Sequence, residues 1–153
     1  MNILTTIILS FLLAESIIGQ TTNERVKGDT FDGIILRHAI SSWDPTSNII
    51  RSLEHQLPAY LDSTLYDKSK LNVRKLNIHD LIEYKRQYFG IIKDSVQVVE
   101  IQLIHQSTDE VKSGKWLERN ALVVVDDDGP ESFVVEYDWT NHKFLGFTLS
   151  VSP

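Results

Sequence analysis

Arg86 lies between Tyr84 and Tyr88 in a stretch, Glu83–Lys93, that alternates like a strand. Side chains two apart on a strand point the same way, so a guanidinium and two phenols share one face. On the concave side of a sheet that trio is suited to a carboxylate or a phosphate, because Arg offers a fixed fork of donors. Tyr137, on the strand expected over Ser132–Trp139, is the fourth residue that would line such a pocket. The competing use of Arg86, and the favoured one, is internal or inert. It is either neutralised in the core by Asp138 or Glu100 across the sheet, or simply exposed on its strand.

The other reactive residue types form no recognisable constellation. His38, His55, His79, His105 and His142 are dispersed, with no H-E-x-x-H or H-x-H pairing for zinc. No serine stands in a G-x-S-x-G elbow, and the chain has no cysteine, which excludes disulfides and thiol chemistry. Asp126, Asp127 and Asp128 with Gly129 and Glu131 are the one acidic cluster. An EF-type calcium loop needs oxygen ligands at alternating positions and a Glu at the twelfth, and a hairpin turn explains the run better. Tyr88-Phe89, Trp116, Trp139 and Phe147 read as core of a small sheet domain rather than as a partner patch. No catalytic residue, metal site or cofactor is expected.

The elements that must position Arg86 follow from periodicity. Ile49, Ile50, Leu53, Leu57, Tyr60 and Leu61 recur at spacings of three and four, which predicts a helix over Asp44–Leu61. Asp44 is the expected cap, Pro45 the first helical residue, and Pro58 the cause of a kink in the last turn. Arg51, Ser52, Glu54, His55 and Gln56 are assigned to the outward side. Asp62–Asn77 reads as a loop and Ile78–Ile82 as one helical turn. From Glu83 onward the period is two, giving strands over Glu83–Lys93, Val96–His105, Leu117–Asp126, Ser132–Trp139 and Lys143–Val151. Their turns are Lys93-Asp94-Ser95, Asp126–Pro130 and Thr140-Asn141-His142. Ile34–Ile40 is a candidate extra edge strand. The expected fold is therefore α+β: one main helix packed across a curved antiparallel sheet of four or five meander strands, a cystatin-like arrangement.

The N-terminus sets the expected compartment. Ile3–Ala14 is nearly all apolar, too short for a bilayer span of about 20 residues and of the length of a signal-peptide core. Ala14 and Ser16 give an A-x-S cleavage pattern, with a cut after Gly19 as the alternative. The expected organisation is a signal peptide (1–19), a flexible leader (20–32) and one domain (33–153), exported to the periplasm or the extracellular space. At 42% apolar residues the chain has enough material for a core without disulfides. Its net charge of −6 and scattered Lys and Arg argue against nucleic acid and anionic membranes as partners. No later segment predicts stable membrane insertion.

Ile50-x-x-Leu53-Glu54-x-x-Leu57-Pro58-x-Tyr60-Leu61 is followed by Tyr84-x-Arg86-Gln87-Tyr88-Phe89-Gly90. Trp116, Val123-x-x-x-Asp127-Asp128-Gly129, and Phe133-x-Val135-x-Tyr137-Asp138 with Phe144 come next. This pattern, over about Trp43 to Leu149, resembles a family of small exported bacterial proteins of unknown function. Members often carry a Gly-Gly or Gly-Asp turn and a Cys in the third strand region, where this chain has Asp128-Gly129-Pro130 and no thiol. The resemblance implies a shared fold and export, and no activity. Two functional classes lead, with a structural envelope protein that acts through self-association as a third. One is a non-enzymatic exported binding module that contacts an envelope protein, a peptide or a small anionic ligand. The other is a small cone-shaped ligand carrier or enzyme with a pocket lined by Arg86, Tyr84, Tyr88 and Tyr137.

Overall fold

A computed structural model describes residues 22–37, 42–66, 78–118 and 132–149. The expected signal peptide, His38–Ile40, most of the expected strand Leu117–Asp126 and the Asp126–Pro130 turn lie outside the described residues.

Helix α1 spans Ser47–Tyr66 and buries Ile50, Leu53, Leu57 and Leu61, the stripe that the spacing of three and four requires. It starts later than the Asp44 cap implies. Thr46 takes the capping role, its Oγ1 accepting from the Ile49 N–H at 3.4 Å, while Asp44 lies 3.7 Å from Arg37 instead. The chain before it is held extended against the sheet, since Ser42 N–H donates to Gly90 O and the Trp43 indole donates to Ile91 O and Val98 O. Gly90 makes this approach possible, because a Cβ there would sit 2.3 Å from the Trp43 carbonyl oxygen. Pro58 is inside the helix, which continues past the expected end at Leu61 to Tyr66. A 3-10 helix, Ile78–Glu83, occupies the place of the expected single turn.

Six strands follow the order β1 (Glu24–Lys27), β2 (Asp32–Ile35), β3 (Tyr84–Lys93), β4 (Val96–His105), β5 (Ser132–Asp138) and β6 (Lys143–Leu149), and they neighbour one another in that order. Strands β3 to β6 form the expected antiparallel meander. At the β3–β4 turn Asp94 and Ser95 both have positive φ, 49° and 67°, as a two-residue primed turn demands. The fold is thus α+β, one main helix on a mixed, mostly antiparallel open sheet.

Three expectations need correction. Residues 24–27 lie in the segment expected to be a flexible leader, yet they form strand β1, paired antiparallel with β2. Strand β2 is not an edge: β1 lies outside it, and it runs parallel to β3. A parallel pair needs a long crossover, and α1 supplies it. Leu117, finally, belongs to the second of two short helices, α2 (Asp109–Lys112) and α3 (Lys115–Glu118), and β4 pairs directly with β5.

The sheet has two buried faces. On the inner one α1 covers Tyr88, Val99, Ile101, Leu103, Phe133, Val135 and Tyr137. On the outer one Trp116 of α3 closes over Ile34, Leu36, Phe89 and Ile104. Trp139 and Phe147 pack against the inner cluster, in line with their reading as core.

Candidate functional site

Arg86 points inward from β3 towards α1, and its charge is met there by Glu54, with side chains 1% and 3% exposed. The Arg86 Nε–H donates to Glu54 Oε1 at 3.0 Å, and the Tyr88 hydroxyl donates to the same oxygen at 2.8 Å. Arg86 Nη1 donates to the carbonyls of Leu81 (3.1 Å) and Tyr84 (2.6 Å), which ties the 3-10 helix to the start of β3. Gly33 on β2 leaves the room this needs, since a Cβ there would meet the Tyr88 ring at 2.4 Å and Arg86 Cβ at 3.0 Å.

Of the expected trio, Arg86 and Tyr88 are brought together. Tyr84 meets Arg86 through its backbone carbonyl, while its ring packs edge-on to His105 and Phe133. Tyr137 lies elsewhere under the helix, beside Phe144, with Gln56 Nε2 donating to its hydroxyl at 3.4 Å. The expected partners of Arg86, Asp138 and Glu100, are paired with β5 or β4 positions of the opposite side parity and face away from α1. Glu54 is the partner instead, and its assignment to the outward side of the helix is corrected. It stands four residues after Ile50 and three before Leu57, so the helical period already places it on the buried stripe.

Burial pushes the Glu54 carboxyl above its ordinary value, against the opposing pull of the Arg86 charge and of the hydrogen bonds from Tyr88 and Arg86. Burial also drives the Tyr88 phenol well above its ordinary value, and the Glu54 charge adds to this. Such a cluster holds its charges for itself. Its chemistry is that of an internal latch between helix and sheet.

A second cluster closes the far end of β4. His105 Nδ1 meets Ser107 Oγ at 2.7 Å and accepts from the Ser107 backbone N–H at 3.2 Å, while Nε2 lies 3.2 Å from Glu83 Oε2. The backbone donor fixes Nδ1 as acceptor and Nε2 as the protonated nitrogen facing Glu83. The order Ser–His–Glu is that of a nucleophile relay, but the lone pair a base would use is shared with a backbone N–H. Among the described residues no group of three His, Cys, Asp or Glu gathers to hold a metal ion.

The third polar cluster is on the outer face of β1, β2 and β3. Asp32 accepts from Arg25 Nε (3.0 Å) and Nη2 (2.8 Å) and from Lys85 Nζ (2.9 Å), with Lys27 Nζ at 3.9 Å. Burial raises the Asp32 carboxyl, but the hydrogen bonds and charges of Arg25 and Lys85 outweigh it and hold it at about 2. Nothing in the sequence analysis singled these residues out, because they become neighbours only through the unforeseen strand β1.

No family model, curated protein or solved structure matches the chain.

Proposed function

We propose that the chain is an exported, non-enzymatic interaction module of the cell envelope that works through the surface and edges of its sheet. The observation that carries this reading is the interior beneath α1. Its best anion-binding group, Arg86, is neutralised by Glu54, and Leu53, Leu57, Ile101, Val135 and Tyr137 are fully buried in the core between helix and sheet. A binder of small anions would leave that guanidinium facing a cavity. Export rests on the apolar stretch Ile3–Ala14 with its A-x-S pattern, and on the resemblance to small exported proteins. Among the described residues no helix is long and apolar enough to cross a membrane.

The test is site-specific photo-crosslinking in cells that produce the full chain, with the reactive residue placed in turn at exposed positions such as Lys27, Ile82 and Leu145. Discrete adducts in the envelope fraction at one surface and not at the others are expected. Adducts at none of these positions would sink the reading. The alternative, a pocket between helix and sheet, predicts a saturable shift of the Arg86 Nε–H resonance with phosphate or dicarboxylates, whereas an interaction module with a filled interior shows none.

A further inference from the structure

We propose that the β1 edge and the adjoining outer face form a docking site for an extended peptide segment with acidic residues at alternate positions, contributed by a partner protein. The proposal rests on the interaction-module reading and names the surface and the partner chemistry.

Among the described residues β1 is the outermost strand on its side of the sheet, and its backbone geometry defines which groups face outward. Gly28 N–H donates to Phe31 O across the β1–β2 turn, at 3.0 Å. With the register Lys27↔Asp32 and Val26↔Gly33, the alternation of antiparallel bonds turns Val26 and Glu24 towards β2. The peptide groups of Arg25 and Lys27 then point away from the sheet. Arg51 of α1 confirms that direction, because its Nη1 reaches the outward Lys27 carbonyl at 2.8 Å.

The charge along this edge is one-sided. Arg25 and Lys27, with side chains 46% and 60% exposed, stand on the outer face beside Lys85, and the exposed Arg51 stands at the edge itself. These four cations meet Asp32 and the turn residue Asp29, while the third carboxylate of the edge, Glu24 of β1, is paired with Arg37, on a chain whose net charge is −6. Asp32 is already engaged by Arg25 and Lys85, which leaves Lys27, at 3.9 Å, the least committed of the cations around it.

Charge complementarity selects the occupant. A second copy adding through its own β1 would set Lys and Arg against Lys and Arg, which is unfavourable for directly opposed residues. A strand with Glu or Asp two residues apart would place both carboxylates on the outer face, opposite Arg25 and Lys27. The chain's overall negative charge is screened beyond about 8 Å at physiological salt, so the local cations govern the encounter at the edge.

Two fluorescent peptides of identical composition test this against the full chain by anisotropy. One carries two Glu separated by a single residue among Thr and Val, and the other carries the two Glu adjacent. The alternating peptide is expected to bind at least about tenfold more tightly, and Lys27→Glu to weaken it by about the same factor. Circular dichroism and Tm of the exposed Lys27→Glu variant verify its folding, and Arg51→Gln provides a second variant. Equal binding of the two peptides, indifference to both substitutions, or complete displacement by inorganic phosphate would each overturn the proposal, the last by marking a free-anion site. Crosslinked adducts that persist at Ile82 or Leu145 under those outcomes would leave the module reading standing.

Discussion

Glu54 and Arg86 depend on each other, because removing either side chain leaves the other charge buried without its partner. Arg86→Met is therefore expected to cost about 3–5 kcal/mol, and the double variant Glu54→Leu/Arg86→Met to recover most of that loss, measured by urea unfolding. Equal losses in the single and double variants would show that packing, not charge pairing, governs the site. Asp32 gives a test in pH. Its carboxyl is held at about 2 in the fold against an ordinary 3.8, so its contribution is present above about pH 4 and disappears as the pH falls through 2. Asp32→Asn should remove that part of the acid limb, about 1 kcal/mol after allowance for the exposure of Arg25, and leave the slope above pH 5 unchanged. Glu54 acts with the opposite sign. Its raised value gives a contribution that is present below the unfolded value and fades as the pH rises through the folded one.

At the scale of elements, Pro58 and Ser95 are the residues that fit their local backbone least well. Pro58 stands on the exposed side inside α1, where it offers no N–H to the carbonyl of Glu54 one turn earlier. Pro58→Ala should raise stability by about 1–3 kcal/mol, read as an increase in Tm. Ser95 holds φ at 67° in a turn that favours Gly, so Ser95→Gly should stabilise the β3–β4 hairpin by about 0.5–1 kcal/mol, while Ser95→Val should lower it. These two elements also show what the sequence could reveal. The period of three and four set the buried stripe of α1, and the period of two set β3 to β6 with Phe133, Val135 and Tyr137 on the helix side, because burial on one face imposes those repeats. Strand β1 escaped notice because Val26 is its one buried residue and Glu24, Arg25 and Lys27 read as solvated chain. The parallel pairing of β2 with β3 is non-local and leaves no repeat at all. Glu54 was legible by position on the helix, and was missed because a carboxylate is not expected on a buried stripe unless its partner is already known.

Across the whole molecule, stability should grade from the middle of the sheet outward. Strand β3 is hydrogen-bonded to β4 over ten residues and to β2 over four, and β4 is bonded on its other side to β5. Both strands lie between α1 on the inner face and the Trp116 cluster on the outer face. Opening any part of them exposes Tyr88, Val99, Ile101 and Leu103 together and separates Arg86 from Glu54, so their amides should exchange only through global unfolding. Strand β1 is different. Its ladder has four residues and it contributes one buried apolar side chain, Val26, while α1 retains its contacts with β3 to β5 when β1 detaches. In hydrogen exchange the Val26 amide should therefore open at least about 2 kcal/mol more easily than those of Tyr88 and Ile101. Val26→Ala should widen that gap without lowering the global limit by more than about 1–2 kcal/mol. A Val26 amide protected as fully as Ile101 would mean that β1 opens only with the whole fold. A strand that opens locally, carries the exposed Lys27 and is met at its edge by Arg51 of α1 is also the element on which an added acidic strand would have the largest effect. Binding there should slow exchange at Val26 while leaving Tyr88 and Ile101 unchanged.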